Sequence, residues 1–365
     1  MLRTITTALL ISLAPALAHT TAKANHHTPA LPAAPDTAQP RYEWRGLHVD
    51  VSRHFFGPQV LRELMDRMAP LGLNRLHLHL TDGPGWRLEI KAYPRLTSVG
   101  AWRKVLTPEE KKEWANFEIG SHFPQVYGGF YTQEEMRELV RYGAQHGICI
   151  IPEIDLPGHS FAALTAYPQW LIPGKGLKES QCGRDILDVD NPEVQLFARR
   201  VLDELMSIFP KGTPIHLGGD EVDPAVLSKE KQRKFLQELV DYLAQHGHPA
   251  ITWDEAAENG VRGQIVMLWR SGKVEKILSL GLPTILCPNS HFYFDYPQSD
   301  SPDEPPAMGH HIISAQHIRD YQIPQNPNII GLQGNVWTEH ISTPQHLFYM
   351  IVPRAEALAE KTKGK

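Results

Sequence analysis

Eight short apolar runs alternating with amphipathic segments, two helix ends written in nearly the same words, and acids and tryptophans gathered where the runs finish predict an α/β fold, a (β/α)8 TIM barrel. An open doubly wound sheet is the alternative packing of the same alternation. The runs are RGLHVDV (45–51), RLHLHLTD (75–82), ICIIPEID (148–155), PIHLGGDE (214–221), PAITWDE (249–255), QIVMLWR (264–270), PTILCPN (283–289) and NIIGLQGNVW (328–337). Several are apolar without strict alternation, as in parallel strands covered on both faces. Between them, Val60, Leu61, Leu64, Met65 and Met68 make one helical stripe. Thr132 and Glu135 form a capping box ahead of Met136, Leu139 and Val140. YGAQHGICIIPEID and YLAQHGHPAITWDE each stop a helix at a C′ glycine and enter a strand directly, as a repeating βα unit does.

The ends of the chain read differently. MLRTITTALLISLAPALAHTTAKA (1–24) has a basic residue, a short apolar stretch and small-x-small endings, the pattern of a signal peptide, too short for a membrane span. Its removal takes away Arg3 and Lys23 and moves the formal charge of −5 to about −7. Residues 25–40 read as a disordered Ala/Pro linker, leaving 41–365 as the catalytic barrel. The expected location is therefore the periplasm or the medium. The acidic balance and the lack of a basic run exclude nucleic acid as a partner. Cys149, Cys182 and Cys287 match no zinc spacing, and one disulfide among them is open.

In a (β/α)8 barrel the chemistry sits at the C-terminal ends of the strands. Here those ends carry Asp50, Asp82, Asp155, Asp220, Glu221, Trp253, Asp254, Trp269, Arg270 and Trp337. Carboxylates beside aromatic faces suit sugar chemistry, because tryptophan stacks on pyranose C–H faces while acids bond the hydroxyls and protonate a leaving oxygen. Two neighbouring acids at one strand end, Asp220 and Glu221, leave the chain in different directions and can serve different substrate groups. A metal-dependent hydrolase is the rival chemistry, with His77, His79 and His216 as ligands. Barrel-interior hydrogen bonding is the better account of His77 and His79.

Motif after motif, from Arg45 to about Glu360, the chain resembles glycoside hydrolase family 20, the β-N-acetylhexosaminidases. RGLHVDVSRHFF, NRLHLHLTDGPGWRLEIKAYP, YGGFYTQEEMRELV, IPEIDLPGHSFAAL, HLGGDE, TWDE, MLWR, FYFDY and GLQGNVWTEHI follow in the family's order. The resemblance implies a retaining exo-hydrolase of terminal β-linked N-acetylglucosamine or N-acetylgalactosamine in which the substrate's own acetamido oxygen attacks, through an oxazolinium intermediate. It implies Glu221 as acid and base, and Asp220 as the anion that orients the acetamido group. Arg53, Asp295 and Glu339 would hold sugar hydroxyls, and Tyr293 the acetamido oxygen. Trp253, Trp269 and Trp337 would wall the pocket, and Asp82, Asp155 and His159 would support the acids. No metal and no cofactor is expected; the partner is an N-acetylglucosamine-containing oligo- or polysaccharide. A hydrolase of β-1,6-linked poly-N-acetylglucosamine from biofilms and a non-catalytic amino-sugar-binding barrel are the alternatives. Where the family commonly has a second aspartate after HLT, this chain has Gly83. It also shows only leader and linker where many members carry a small α+β domain. Loops 95–128 and 290–312 are expected to shape the outer subsites, with 299–311 as a rim loop. Oligomeric state is not legible.

Overall fold

The computed structural model describes residues 41–107, 117–175, 185–309 and 311–363. The leader and linker read in residues 1–40, and Cys182, lie outside the described residues. Cys149 and Cys287 are free thiols.

All eight runs form strands: β1 Trp44–Asp50, β2 Arg75–His79, β3 Cys149–Glu153, β4 Ile215–His216, β5 Ala250–Trp253, β6 Ile265–Leu268, β7 Thr284–Leu286 and β8 Ile329–Val336. They close into one parallel barrel in chain order, with β8 returning to β1. The doubly wound alternative is thereby excluded. After the strands, in order, come α1 Pro58–Met68, α2 Gln133–Gln145, α3 Pro192–Ile208, α4 Lys229–Gln245, α5 Asp254–Glu258, α6 Val274–Leu278, α7 Ala315–Asp320 and α8 Pro344–Thr362.

Local chemistry accounts for these boundaries. The α2 capping box is complete, with Thr132 Oγ1 accepting from Glu135 N–H at 3.1 Å and the Glu135 carboxylate accepting from Thr132 N–H at 2.8 Å. The repeated words become a repeated contact. His146 and His246 each approach the carbonyl of Tyr142 and Tyr242 at 2.8 Å, and the glycines that follow turn left-handed. The two tyrosines then donate to Asp66 on α1 and Asp203 on α3, so each stitches its helix to the preceding one. In α8 the buried Arg354 donates to the carbonyls of Phe294, of Tyr296 at 2.8 Å and of Ile313 at 3.1 Å. It thus ties down both feet of the loop after β7. Burial pushes its guanidinium down to about 9.

The barrel interior is polar. His48, His77, His79, Glu153 and His216 are all within 1 % of full burial, and Gln333 of β8 spans the barrel to His77 of β2 and Met267 of β6. His77 and His79 are hydrogen-bonded inside it, as the sequence suggests. The aliphatic residues of the same strands, such as Leu47, Val49, Leu76 and Leu78, belong to the hydrophobic core that includes helix residues Leu61 and Leu64.

Closure depends on small residues where β1 meets β8. Trp44 pairs with Gly331, and a Cβ built at 331 would lie 2.0 Å from the Trp44 carbonyl oxygen. Neither backbone can yield. Gly331→Ala is expected to cost about 2 kcal/mol or more of stability through overpacking, read as a lowered denaturant midpoint at unchanged slope.

Candidate active site

The C-terminal ends of the strands surround a cavity of about 380 Å³. Its wall contains Arg53, Asp82, Asp155, His159, Asp220 and Glu221 on one side of the chain order, and Trp269, Tyr293, Asp295, Trp337 and Glu339 on the other. Eleven of the twelve side chains expected at the site therefore share one cavity. The exception is Trp253. It is 1 % exposed, donates its indole N–H to Glu153 Oε1 at 2.8 Å and packs beside Trp337 at 6.0 Å between rings. It stands behind the wall that it was expected to form. Asp82, Asp155 and His159, expected as support, are themselves on the wall.

The acid pair is a product of backbone conformation. Strand β4 stops at His216 because Gly218 and Gly219 follow with φ of +67° and +94°. Glu221 is also left-handed, with φ of +49°. It and His159 are the only non-glycine residues with positive φ among the described residues, and they face each other, His159 Nε2 lying 3.4 Å from Glu221 Oε2. A left-handed non-glycine backbone is a cost that packing has to hold in place, and such residues gather at functional sites. The twist separates the acids: Asp220 is 7 % exposed, whereas the Glu221 side chain is 43 % exposed.

Asp155 braces this turn. Its Oδ1 accepts from Gly219 N–H at 3.0 Å, while its own N–H donates to Thr81 Oγ1 at 3.0 Å. Burial pushes Asp155 up to about 7, against the lowering pull of His159. Burial, and then the Asp155 charge, hold the Asp220 carboxyl well above its usual range, and its Oδ1 has no hydrogen-bond partner. Asp220 is thus a poorly solvated acid that gains most when a cationic N–H arrives.

Asp82 is its opposite. Although burial works to raise it, Arg53 and then His159 hold it well below the carboxylate range. Arg53 Nη2 lies 2.8 Å from Asp82 Oδ2, His159 Nδ1 at 3.2 Å and His79 Nε2 at 2.9 Å. The glycine that replaces the expected second aspartate contributes as well: Gly83 N–H donates to Asp82 Oδ1 at 2.5 Å. Arg53 is only 12 % exposed and its guanidinium lies 4.9 Å over the Trp337 ring, so it is no surface ion pair.

Across the cavity Trp269 and Tyr293 stand nearly parallel at 6.3 Å, and Glu255 fixes Trp269 by accepting its indole N–H at 3.0 Å. Burial holds the Tyr293 phenol well above its ordinary value, so it remains a donor. Burial also raises Asp295 and Glu339, the latter against the pull of Arg53, and each keeps one oxygen without a hydrogen-bond partner. His79, Pro84, Phe117, Tyr296 and Met308 complete the wall; none was singled out from the sequence as a pocket residue. The last three come from long loops, where no periodicity signals a side chain's direction.

Ligand-type atoms of His48, His77 and Glu153, and of Asp155, His159 and Asp220, lie within 4.8 Å of one another. The rival metal set fits poorly, since both ring nitrogens of His79 are already engaged by carboxylates.

Residues 42–363 match the family described as glycosyl hydrolase family 20, catalytic domain. The β-hexosaminidase of Akkermansia muciniphila is 34 % identical over 90 % of this chain and 70 % of its own length. That of Vibrio furnissii is 32 % identical over 88 % of this chain and 56 % of its own. Among solved structures, the GH20 exo β-N-acetylglucosaminidase of Vibrio harveyi in complex with N-acetylglucosamine superimposes with a TM-score of 0.79 at 31 % identity, covering 90 % of this chain and 55 % of that one. Streptomyces plicatus N-acetyl-β-hexosaminidase in complex with Thio-NAglucal gives 0.75 at 29 % identity, over 89 % and 64 %. The chain thus spans between about half and seven tenths of these relatives.

The Gly218 turn offers a direct test of how the acids are placed. A Cβ there would meet Asp155 Oδ1 at 1.7 Å, on a backbone that side chains rarely adopt. Gly218→Ala is expected to lower kcat by about 100-fold or more, as misplacement of reacting groups does, with a smaller change in KM for a β-N-acetylglucosaminide.

Proposed function

The chain belongs to glycosyl hydrolase family 20, and on that premise we propose that it is a retaining exo-β-N-acetylhexosaminidase that removes terminal β-linked N-acetylglucosamine with the substrate's acetamido oxygen as nucleophile. The observation that carries this reading is the unequal acid pair. One carboxyl is buried with an unpartnered oxygen, and its neighbour is open to solvent beside an imidazole. A mechanism with a protein nucleophile needs two carboxyls flanking the bond from opposite sides. Adjacent residues of one turn do not offer that.

In the proposed reaction Glu221 gives its proton to the glycosidic oxygen as that oxygen leaves C1. The acetamido carbonyl oxygen bonds to C1 from the other face. Positive charge develops on the acetamido nitrogen, and Asp220 accepts its N–H. Because Asp220 is poorly compensated in the free protein, the pairing stabilises the charged intermediate more than the neutral substrate, which is the condition for catalysis. Tyr293 donates to the acetamido oxygen as it becomes an oxazoline oxygen. Water then attacks C1 with Glu221 as base, the C1–oxygen bond of the five-membered ring breaks, and the anomeric configuration is retained.

Trp269 and Trp337 supply the aromatic faces, and Arg53, Asp295 and Glu339 supply hydroxyl contacts deep in the wall. A cavity of about 380 Å³ is at the small end for ligand pockets and suits one acetylated sugar ring, which favours exo over endo action. The leader pattern read in residues 1–24 supports action outside the cytoplasm.

Glu221→Gln is expected to lower kcat on chitobiose by about 10²- to 10⁴-fold. Asp220→Asn should lose about 10²- to 10³-fold and weaken binding of a thiazoline analogue of the cyclised intermediate. Hydrolysis of an unacetylated β-glucoside as fast as its N-acetyl counterpart would refute the proposal.

A further inference from the structure

A neutral imidazole carries one ring proton and a charged one carries two. His79 has both nitrogens on carboxylates, Nδ1 at 2.6 Å from Glu153 Oε2 and Nε2 at 2.9 Å from Asp82 Oδ2. Ionised carboxylates only accept, so two such contacts require two protons and make His79 an imidazolium. Its neighbour His77 is different. The Gln333 side-chain amide donates to its Nδ1 at 3.2 Å, which leaves one proton, on Nε2, an atom 3.1 Å from Glu153 but without a hydrogen bond. The titration behaviour agrees: burial takes His77 down to about 4, whereas burial of His79 is outweighed by Glu153 and Asp82, which hold it well above the ordinary range.

The charged His79 shares Asp82 with two other groups, Arg53 at 2.8 Å and His159 at 3.2 Å. The far nitrogen of His159 lies 3.4 Å from Glu221. A continuous series of contacts therefore runs from Glu153 through His79, Asp82 and His159 to Glu221, and its inner end does not touch the cavity.

We propose that Glu153 is a positioning residue for the hydrolysis proposed above. By keeping His79 charged it decides how much of the Asp82 anion is offset behind the charged His159, and so it sets the proton affinity of Glu221. The inference rests on Glu221 being the proton donor. The direction follows from the contacts. With Glu153 neutralised, His79 keeps one proton and Asp82 loses one of its cations. Burial works to lower His159, but Asp82 already holds it well above the ordinary imidazole range, so it stays charged in both proteins. What reaches Glu221 is the loss of the His79 cation, nearer along the series than the Glu153 anion lost with it, so Glu221 keeps its proton to higher pH and the alkaline limb of the rate profile moves up.

Other titratable groups face this series. His48, His77, His216 and Asp155 stand around Glu153 and His79. Asp155, Asp185 and Asp220 stand around His159. Asp50 and Glu339 stand around Arg53. All of them are kept in Glu153→Gln, whose amide can still donate to His79.

The test is the pH profile of kcat/KM on chitobiose for wild type, Glu153→Gln and Glu221→Gln. Glu153→Gln is expected to shift the alkaline limb up by about one pH unit with KM unchanged, the size of shift given by losing one close charge partner. An unmoved limb overturns the proposal, including when activity falls equally at every pH. Glu221→Gln separates the two readings: if it stays active, the assignment of the proton donor has failed. If it is inactive while the Glu153→Gln limb coincides with wild type, only the role of Glu153 has failed. The ring nitrogens of His79 in the wild-type protein give a measurement independent of any variant's folding. Both are expected to be protonated by ¹⁵N NMR from about pH 5 to about pH 8, and one unprotonated nitrogen in that range overturns the proposal.

Discussion

A carboxylate stripped of water is tolerable only when the protein replaces the lost solvation, and Glu153 imposes that condition on the centre of this barrel. It is fully buried, and its two oxygens accept from His79 of β2 and from the indole N–H of Trp253 on β5, with ring nitrogens of His77 of β2 and His216 of β4 at 3.1 and 3.0 Å. Lateral pairing brings these groups together, since Glu153 stands opposite His79 on one side and His216 on the other. Slipping a strand by one residue turns its side chains to the opposite face. Here a slip of β3 would strand the carboxylate outside and leave its buried donors unanswered. Barrel register is therefore fixed by a charge as well as by aliphatic packing. The same side-chain set leads toward the cavity wall through His79 and Asp82.

The wall itself depends on a few non-standard backbone angles. Two glycines end β4 after two residues, and the left-handed Glu221 sends its side chain toward solvent and His159 while Asp220 stays buried. Sequence adjacency and chemical inequivalence are compatible only because of that twist. Asp155, just past the end of β3, holds it through the Gly219 amide, so the acid that burial pushes up to about 7 also shapes the turn.

Much of this was legible in the residues. The eight strands, their order, the α2 cap and the echoed βα units follow from periodicity, capping chemistry and C′ glycines, which are local. The acids could be placed at strand ends because strand ends are marked by the change from apolar to polar residues. What sequence could not supply was direction. Trp253 ends β5 as Trp269 follows the end of β6, yet one bonds Glu153 in the interior and the other lines the cavity. Only the register between strands decides that. Phe117, Tyr296 and Met308 reach the wall from long loops, where neither a 2- nor a 3.6-residue period constrains a side chain. The double engagement of His79 was equally hidden, because it joins residues on three elements.

Arg354 extends the reach of the last helix far beyond its own packing. Its guanidinium fastens the carbonyls of Phe294, Tyr296 and Ile313, the backbone around Tyr293 and Asp295 on the cavity wall. That anchor lies 60 residues further along the chain than Phe294. Until α8 docks, the segment after β7 has no clasp, so the part of the wall that carries Tyr293 and Asp295 takes its shape from a long-range contact and a change in the seating of the last helix is felt at the cavity.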